Sequence, residues 1–166
     1  MKNYIKIFLL FTFISSTIIF SQNKDLKNSP NFILDDINGR KIELIELLNK
    51  GPIVISFWAT WCKPCMDELK EYKKVQEELN NNNITFIAIS IDDEKSISKV
   101  KPFIKSNNFN FLTLLDPNKD AARKYSVQTI PYTFILDKTG QIVYNHLGFK
   151  KGDELKLKAK LIELSK

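Results

Sequence analysis

The chain has 166 residues and a formal net charge of +6 at neutral pH, with 43% hydrophobic and 27% charged residues. This length is typical of one domain that buries a substantial core, and the composition is that of an ordinary globular protein. The basic residues are spread along the chain without a block interleaved with aromatic residues, which argues against nucleic-acid binding.

Residues 1–21 have the composition of a secretory signal peptide. Two lysines precede an almost wholly apolar stretch over residues 7–20, and no acidic residue occurs before Asp25. The small residue Ser21 predicts cleavage before Gln22. An uncleaved membrane anchor is the alternative, although the stretch is shorter than the roughly 20 residues that span a bilayer. Both alternatives place the remaining chain in the periplasm or another extracytoplasmic, oxidising space.

A polar, flexible lead-in over residues 22–30 precedes one domain, which we predict to span residues 31–166. Its first element is a β-hairpin over residues 31–42, because the pair Asn38-Gly39 can supply the positive φ angles of a tight turn. A short helix is predicted over residues 42–48, where a run of turn-forming residues then ends it.

The next stretch holds the only two cysteines, Cys62 and Cys65, between a strand and a helix. The apolar run over residues 53–57 predicts a buried strand, and an amphipathic pattern from Cys62 to about Asn80 predicts a helix. Free N–H groups and the positive dipole end of a first helical turn stabilise a thiolate, which lowers the thiol pKa. A Cys-x-x-Cys sequence beside a βαβ pattern therefore predicts a redox-active dithiol.

The chain beyond this helix alternates predicted strands and helices, as a sheet with parallel pairs requires. Pro131 opens an apolar strand, where it cannot donate a ladder hydrogen bond and could simply mark an edge or a turn. Pro102 lies inside a helical pattern that it should interrupt. The predicted elements are a strand at 84–91, a helix capped by the acidic residues 92–94, an apolar segment at 109–115, a short helix at 119–125, a hairpin over 133–147 and a helix at 153–164.

Four other interpretations of the cysteine pair stay open at this point. A permanent structural disulfide would stabilise little, since its loop is so short. A zinc site needs about four nitrogen or sulfur ligands, and the chain offers two cysteines and one histidine. A copper chaperone would need His146 as third ligand, although a lone strand histidine is more often structural or exposed. A peroxide-reducing enzyme normally has a Pro-x-x-x-Thr-x-x-Cys sequence, which is absent here.

The stretch Phe57-Trp58-Ala59-Thr60-Trp61-Cys62-Lys63-Pro64-Cys65-Met66-Asp67-Glu68 resembles the active site of thioredoxin-fold oxidoreductases. Its Ala-Thr pair and its glutamate resemble the exported TlpA/ResA branch. A second motif over residues 127–132 resembles the loop that presents a cis-proline to the dithiol in this fold. The resemblance extends from about Pro30 to the C-terminus. It implies an α/β thioredoxin fold, with a central mixed β-sheet flanked by helices and an N-terminal β-hairpin extension.

The resemblance, together with the position of the pair at a helix start, implies distinct roles for the motif residues. Cys62 is expected to be the attacking thiolate, and Lys63 beside it adds positive potential. Cys65, which is expected to be more buried, resolves the mixed disulfide. Pro64 is expected to make the ring rigid and to influence its potential. Trp61, Ile130 and a cis Pro131 would form the apolar rim that receives a partner segment.

Glu68 is expected to manage the proton of the second thiol. It follows Cys65 by three residues on the predicted helix, at the margin of the buried stripe. The alternative is a solvated helix glutamate. Ser56 stands where cytosolic thioredoxins have a buried aspartate, so another acid or a water chain must carry the proton. Lys70 replaces a proline that is usual in the exported branch, which predicts a straighter helix.

The function that these expectations describe is thiol-disulfide exchange on exported proteins. The resemblance favours a reductant of apocytochrome c or of other secreted thiols, supplied with electrons by a membrane-borne donor. No metal, nucleotide or organic cofactor is required for this chemistry. The dipeptide between the cysteines does not fix the direction of electron flow, because reductants and oxidants differ by only tens of millivolts.

Overall fold

The computed structural model describes residues 28–80 and 82–165, which form one seven-stranded sheet flanked by helices. The elements in chain order are β1 (Ile33–Asp36), β2 (Lys41–Glu43), β3 (Ile53–Trp58), α1 (Lys63–Glu78), β4 (Thr85–Ser90), α2 (Val100–Ser106), β5 (Leu112–Leu115), α3 (Asp120–Lys124), β6 (Tyr132–Leu136), β7 (Ile142–Leu147) and α4 (Asp153–Leu164). The strand order is β2-β1-β5-β4-β3-β6-β7. The predicted α/β fold with a mixed central sheet is confirmed.

Strand β3 occupies the interior of this sheet and leads directly to the cysteines. All six of its residues are buried, as expected for an apolar run that is covered on both faces of a sheet. It pairs in parallel with β4 and antiparallel with β6. One end of the central strands therefore brings together the carboxyl ends of β3 and β4 and the start of β6. The cysteine motif begins at this end.

The predicted N-terminal hairpin is present as strands β1 and β2. Leu34 is paired with Ile42, and Gly39 in the connecting turn has a φ of 79°, which glycine adopts without a steric penalty. The Asp36 carboxylate accepts hydrogen bonds from the N–H groups of Asn38 and Arg40, at 2.8 and 2.9 Å. Because β1 also pairs with β5, the hairpin extends the sheet.

The helix predicted over residues 42–48 is wrong in its bounds. Residues 41–43 form β2, and only a single 3₁₀ turn follows over Leu44–Leu47. Pairing with β1 holds Ile42 in extended backbone, and the turn then buries Leu44 at 1% exposure. Cross-strand pairing thus decides the conformation of a segment whose local sequence favours a helix.

The predicted interruption at Pro102 falls near the start of a helix. A 3₁₀ turn over Ile97–Lys99 precedes α2, which begins at Val100, so Pro102 lies in its first turn. The N–H groups of a first turn have no helical acceptor, so a proline there removes no helical hydrogen bond.

Helix α4 has the predicted bounds and contacts α1. Leu157 and Leu161 of α4 are fully buried, and an ion pair between Lys158 and Glu78 links the two helices. Within residues 28–80 and 82–165, no helix has both the length and the apolar character needed to cross a membrane. The predicted signal peptide and most of the predicted lead-in lie outside the described residues.

Candidate active site

The two cysteines lie where β3 passes into α1. Cys62 is the N-cap residue of α1 and Cys65 lies in its first turn, with a disulfide joining them and their Cα atoms 5.3 Å apart. The backbone N–H of Cys65 donates a hydrogen bond to Sγ of Cys62 over 3.3 Å. Cys62 keeps 6% of its surface exposed and Cys65 keeps none. The structure therefore holds the oxidised pair, with Cys62 the more accessible sulfur.

The electrostatics at the start of α1 favour a negative charge on Cys62. No acidic residue occupies the first turn, and Pro64 lies within it, where its missing N–H costs nothing. Lys63 is 84% exposed and lies 3.5 Å from Asp67, so part of its charge is already compensated. Exposed pairs of this kind contribute little, and the free N–H groups and dipole of α1 are thus the main stabilisation available to a Cys62 thiolate.

The loop between β3 and Cys62 is held by Asp92, whose side chain is wholly buried. Its carboxylate accepts hydrogen bonds from the N–H of Thr60 at 2.8 Å and from the Thr60 hydroxyl at 2.6 Å. Ser90 donates a third hydrogen bond at 2.8 Å. Asp92 thereby fixes the backbone two residues before the nucleophilic position.

The role predicted for the acidic residues 92–94 needs correction. Asp93 does cap the following turn, because its side chain accepts the N–H of Ser96 over 3.1 Å. Asp92 faces the cysteine loop instead. A signal for this was present in the sequence, since the carboxyl ends of neighbouring parallel strands meet and Asp92 follows β4 as Thr60 follows β3.

Glu68 lies on α1 one turn beyond Cys65 and is wholly buried. Its expected position at the margin of the apolar stripe, and the solvated alternative, are both wrong. Oε2 accepts a hydrogen bond from the Ser56 hydroxyl at 2.5 Å, and Oε1 accepts one from the Thr133 hydroxyl at 2.9 Å. The Tyr72 hydroxyl in turn donates to Thr133 over 3.3 Å. A network of hydroxyl groups from β3, β6 and α1 therefore surrounds the carboxylate.

Burial raises the pKa of Glu68 to about 7, and the hydrogen bonds from Ser56 and Thr133 only partly oppose this shift. Among the described residues no cation forms an ion pair with this carboxyl group. A buried carboxyl group with a pKa near neutrality can both take and give a proton under physiological conditions.

Sequence reasoning identified Ser56 and Glu68 but missed Thr133. Thr133 is paired with Ser56 in the register between β6 and β3. The sequence does show a threonine within an apolar strand, two residues after Pro131, which could have indicated a buried polar group. Only the pairing of two distant strands, however, directs its hydroxyl at Glu68.

The loop before β6 faces the cysteine motif, and its Ile130–Pro131 peptide bond is cis, as the family resemblance implied. Ile130, Pro131 and Pro64 line one groove of about 590 Å³, so the structure brings these three predicted residues together. Trp61 is 64% exposed and is not among the described residues that line the groove. Its indole therefore stands free on the surface immediately before Cys62.

His146 also lines this groove. Its Nε2 is 3.0 Å from a carboxylate oxygen of Asp153, which also accepts the N–H of Lys150. The described residues include no cluster of three or more His, Cys, Asp and Glu side chains that could hold a metal ion. His146 is thus engaged with Asp153.

Comparison with known proteins places this fold and site in a family. Residues 27–145 match the AhpC/TSA family. The thiol-disulfide oxidoreductase ResA of Bacillus cereus is 32% identical over 129 residues, which cover 78% of this chain and 73% of the relative. A thioredoxin-like protein from Porphyromonas gingivalis is 40% identical, with a TM-score of 0.71 over 82% of this chain and 90% of that one.

A second solved structure, StoA from Bacillus subtilis, is 25% identical and has a TM-score of 0.65 over 79% of this chain and 97% of its own. The family match covers more than half of the chain, and the ResA similarity covers more than two thirds of both proteins. The chain therefore belongs to the AhpC/TSA family and is a thiol-disulfide oxidoreductase with a thioredoxin-like fold.

Proposed function

We propose that the chain is an exported reductant of protein disulfides in which Cys62 and Cys65 carry the electrons. The observation that supports this most is the unequal accessibility of the two sulfurs, since only Cys62 has an exposed surface. A thiol at the start of a helix is activated as a nucleophile, and a buried neighbour is placed to resolve the bond that it forms. The domain that does this work spans residues 31–166.

In the reduced enzyme, the Cys62 thiolate attacks one sulfur of a partner disulfide, and the other partner sulfur leaves as a thiolate. Cys65 then loses its proton and attacks Sγ of Cys62. The bond between Cys62 and the partner breaks, and the second partner sulfur leaves as a thiolate. Two electrons have passed from the enzyme to the partner, which becomes a dithiol while the enzyme becomes a disulfide.

Glu68 is the group that takes the Cys65 proton during resolution and returns it during reduction. Its burial on the same helix and its pKa of about 7 support this role. In the oxidised state that the structure holds, its hydrogen bonds to Ser56 and Thr133 fix the carboxylate in place.

The partner is a disulfide-bearing exported protein such as apocytochrome c, and a membrane-borne donor returns two electrons after each cycle. The signal-like composition of residues 1–21 supports export, and an oxidising compartment makes such a donor necessary. Trp61, Ile130 and Pro131 supply the apolar surface for the partner. Lys63 and Pro64 adjust the potential of the pair.

The test compares two cysteine variants of the exported protein. Cys65→Ser should retain the nucleophile and accumulate a mixed disulfide with a partner, which mass spectrometry without reductant identifies. Cys62→Ser should trap nothing. Trapping by Cys62→Ser alone would reverse the assignment of the two sulfurs.

Two further assays separate this function from its alternatives. Efficient peroxide turnover by the wild-type protein, without reduction of protein disulfides, would make it a peroxidase. Copper binding by the reduced protein that is lost in His146→Ala would support the chaperone function instead.

A further inference from the structure

A groove beside the dithiol has a floor of apolar side chains and a lysine-rich rim. It consists of two adjoining depressions of about 590 and 430 Å³, which share Pro64, Phe149 and Lys150 in their lining. One depression reaches the Ile130–Pro131 loop, and the other follows the first turns of α1. A polypeptide bound to Cys62 would therefore have this groove directly beside it.

The rim carries an excess of positive charge. Five lysines but only three carboxylates line the two depressions. Each carboxylate is already engaged: Asp67 with Lys63 and Lys70, Glu71 with Lys74, and Asp153 with His146 and Lys156.

Lys150 and Lys151 differ from the other lysines of the rim. Both are exposed, and neither takes part in any ion pair among residues 28–80 and 82–165. Lys150 lines both depressions, and Lys151 lines the one that follows α1. Two adjacent lysines that form no ion pair within the described chain can attract the carboxylates of a bound polypeptide.

The floor of the groove is apolar and held in place. The ring of Phe149 packs edge-on against Tyr72 of α1, with 6.3 Å between centroids. Leu147 is 55% exposed at the end of the edge strand β7. An apolar floor with a cationic rim fits a segment that combines apolar and acidic side chains.

We propose that this groove selects the segment flanking the reactive cysteine of the partner, and that this segment is acidic. The proposal rests on the proposed function, because it concerns the partner that forms the mixed disulfide with Cys62. Lys150 and Lys151 are the specificity-determining residues, and their attraction for carboxylates acts on association with the partner.

The test uses two disulfide-bearing peptides that differ only in having glutamates or lysines around the cysteine. The wild-type protein should reduce the acidic peptide about tenfold faster than the basic one at low ionic strength, an effect within the range of two exposed charge contacts. The ratio should approach one in 1 M salt, where the Debye length is about 3 Å. The doubly substituted Lys150→Glu, Lys151→Glu protein should reverse the ratio.

The matched control is Lys99→Glu, Lys101→Glu, which changes the net charge equally at exposed positions near the start of α2. This control should keep the preference for the acidic peptide. Equal rates for both peptides in the wild-type protein, or equal losses in both double variants, would overturn the proposal. The proposal would also be overturned if the wild-type protein bound anionic lipid vesicles, the Lys150→Glu, Lys151→Glu protein did not, and both proteins reduced the two peptides with the same ratio of rates. The two lysines would then contact a membrane.

The small neutral substrate 2-hydroxyethyl disulfide separates this proposal from the proposed function. If the wild-type protein reduces it but shows no charge preference among peptides, the groove proposal fails alone. If the wild-type protein reduces neither peptide nor this neutral disulfide, the proposed function itself fails.

Discussion

Replacing Glu68 with glutamine should change how the stability of the oxidised protein depends on pH. Burial raises the pKa of Glu68 from 4.5 to about 7 in the folded state. Between these two values the folded state holds a proton that the unfolded state has released. The free energy of unfolding therefore falls as pH rises through this window.

The size of the effect follows from the shift of the pKa. Each unit corresponds to 1.36 kcal/mol, so the charged carboxylate costs the folded state about 3 kcal/mol above pH 7. Glutamine is always neutral and can still form hydrogen bonds with Ser56 and Thr133, so Glu68→Gln removes only the cost of the charge. The variant should match the wild type in stability near pH 4 and exceed it by about 3 kcal/mol near pH 8.

The assay is urea unfolding of both oxidised proteins from about pH 4 to about pH 8, with m-values compared to confirm the same unfolding transition. The intact disulfide keeps the two thiols from titrating. Glu77→Gln is the matched control, because it makes the same change at a position of α1 that is 61% exposed. Stability curves that stay parallel for Glu68→Gln and the wild type would refute the reasoning.

Three further substitutions have distinct expected outcomes. Ser56→Ala removes a hydrogen-bond donor to a buried carboxylate, so it should raise the pKa of Glu68 further. In urea unfolding, the pH range over which stability falls should then extend to higher pH. Asp92→Ala leaves the N–H and hydroxyl of Thr60 without their acceptor, so urea unfolding should show a loss of about 2 kcal/mol or more, and alkylation of reduced Cys62 should slow. Trp61→Ala changes an exposed side chain, so stability should stay within about 0.5 kcal/mol while KM for a protein disulfide rises.

The elements that the sequence predicts best are those with a strong local pattern. The apolar run before the cysteines, the helix over Asp153–Leu164 and the Asn38-Gly39 turn each have a local cause in periodicity or turn chemistry. The position of Cys62 at a helix start follows from the same kind of evidence. The cis bond before Pro131 was implied only by family resemblance.

The features that the sequence does not reveal depend on contacts between distant segments. Helical periodicity places Glu68 one turn beyond Cys65. The burial of its carboxyl group also depends on Thr133 of β6, which is 65 residues away in the sequence and donates a hydrogen bond to it. The alignment of β3 with β4 directs Asp92 at Thr60. The groove likewise exists only because the loop after β7 lies beside α1.

The reduction potential of the Cys62–Cys65 pair tests the proposed direction of electron flow most directly. Equilibration of the purified protein with glutathione or dithiothreitol buffers, followed by alkylation and mass spectrometry, measures the fraction of each form. A reductant should have a potential near that of thioredoxin, about −270 mV. A value near about −120 mV, as in a strong oxidant, or a disulfide that exchanges with neither buffer, would contradict the proposed function.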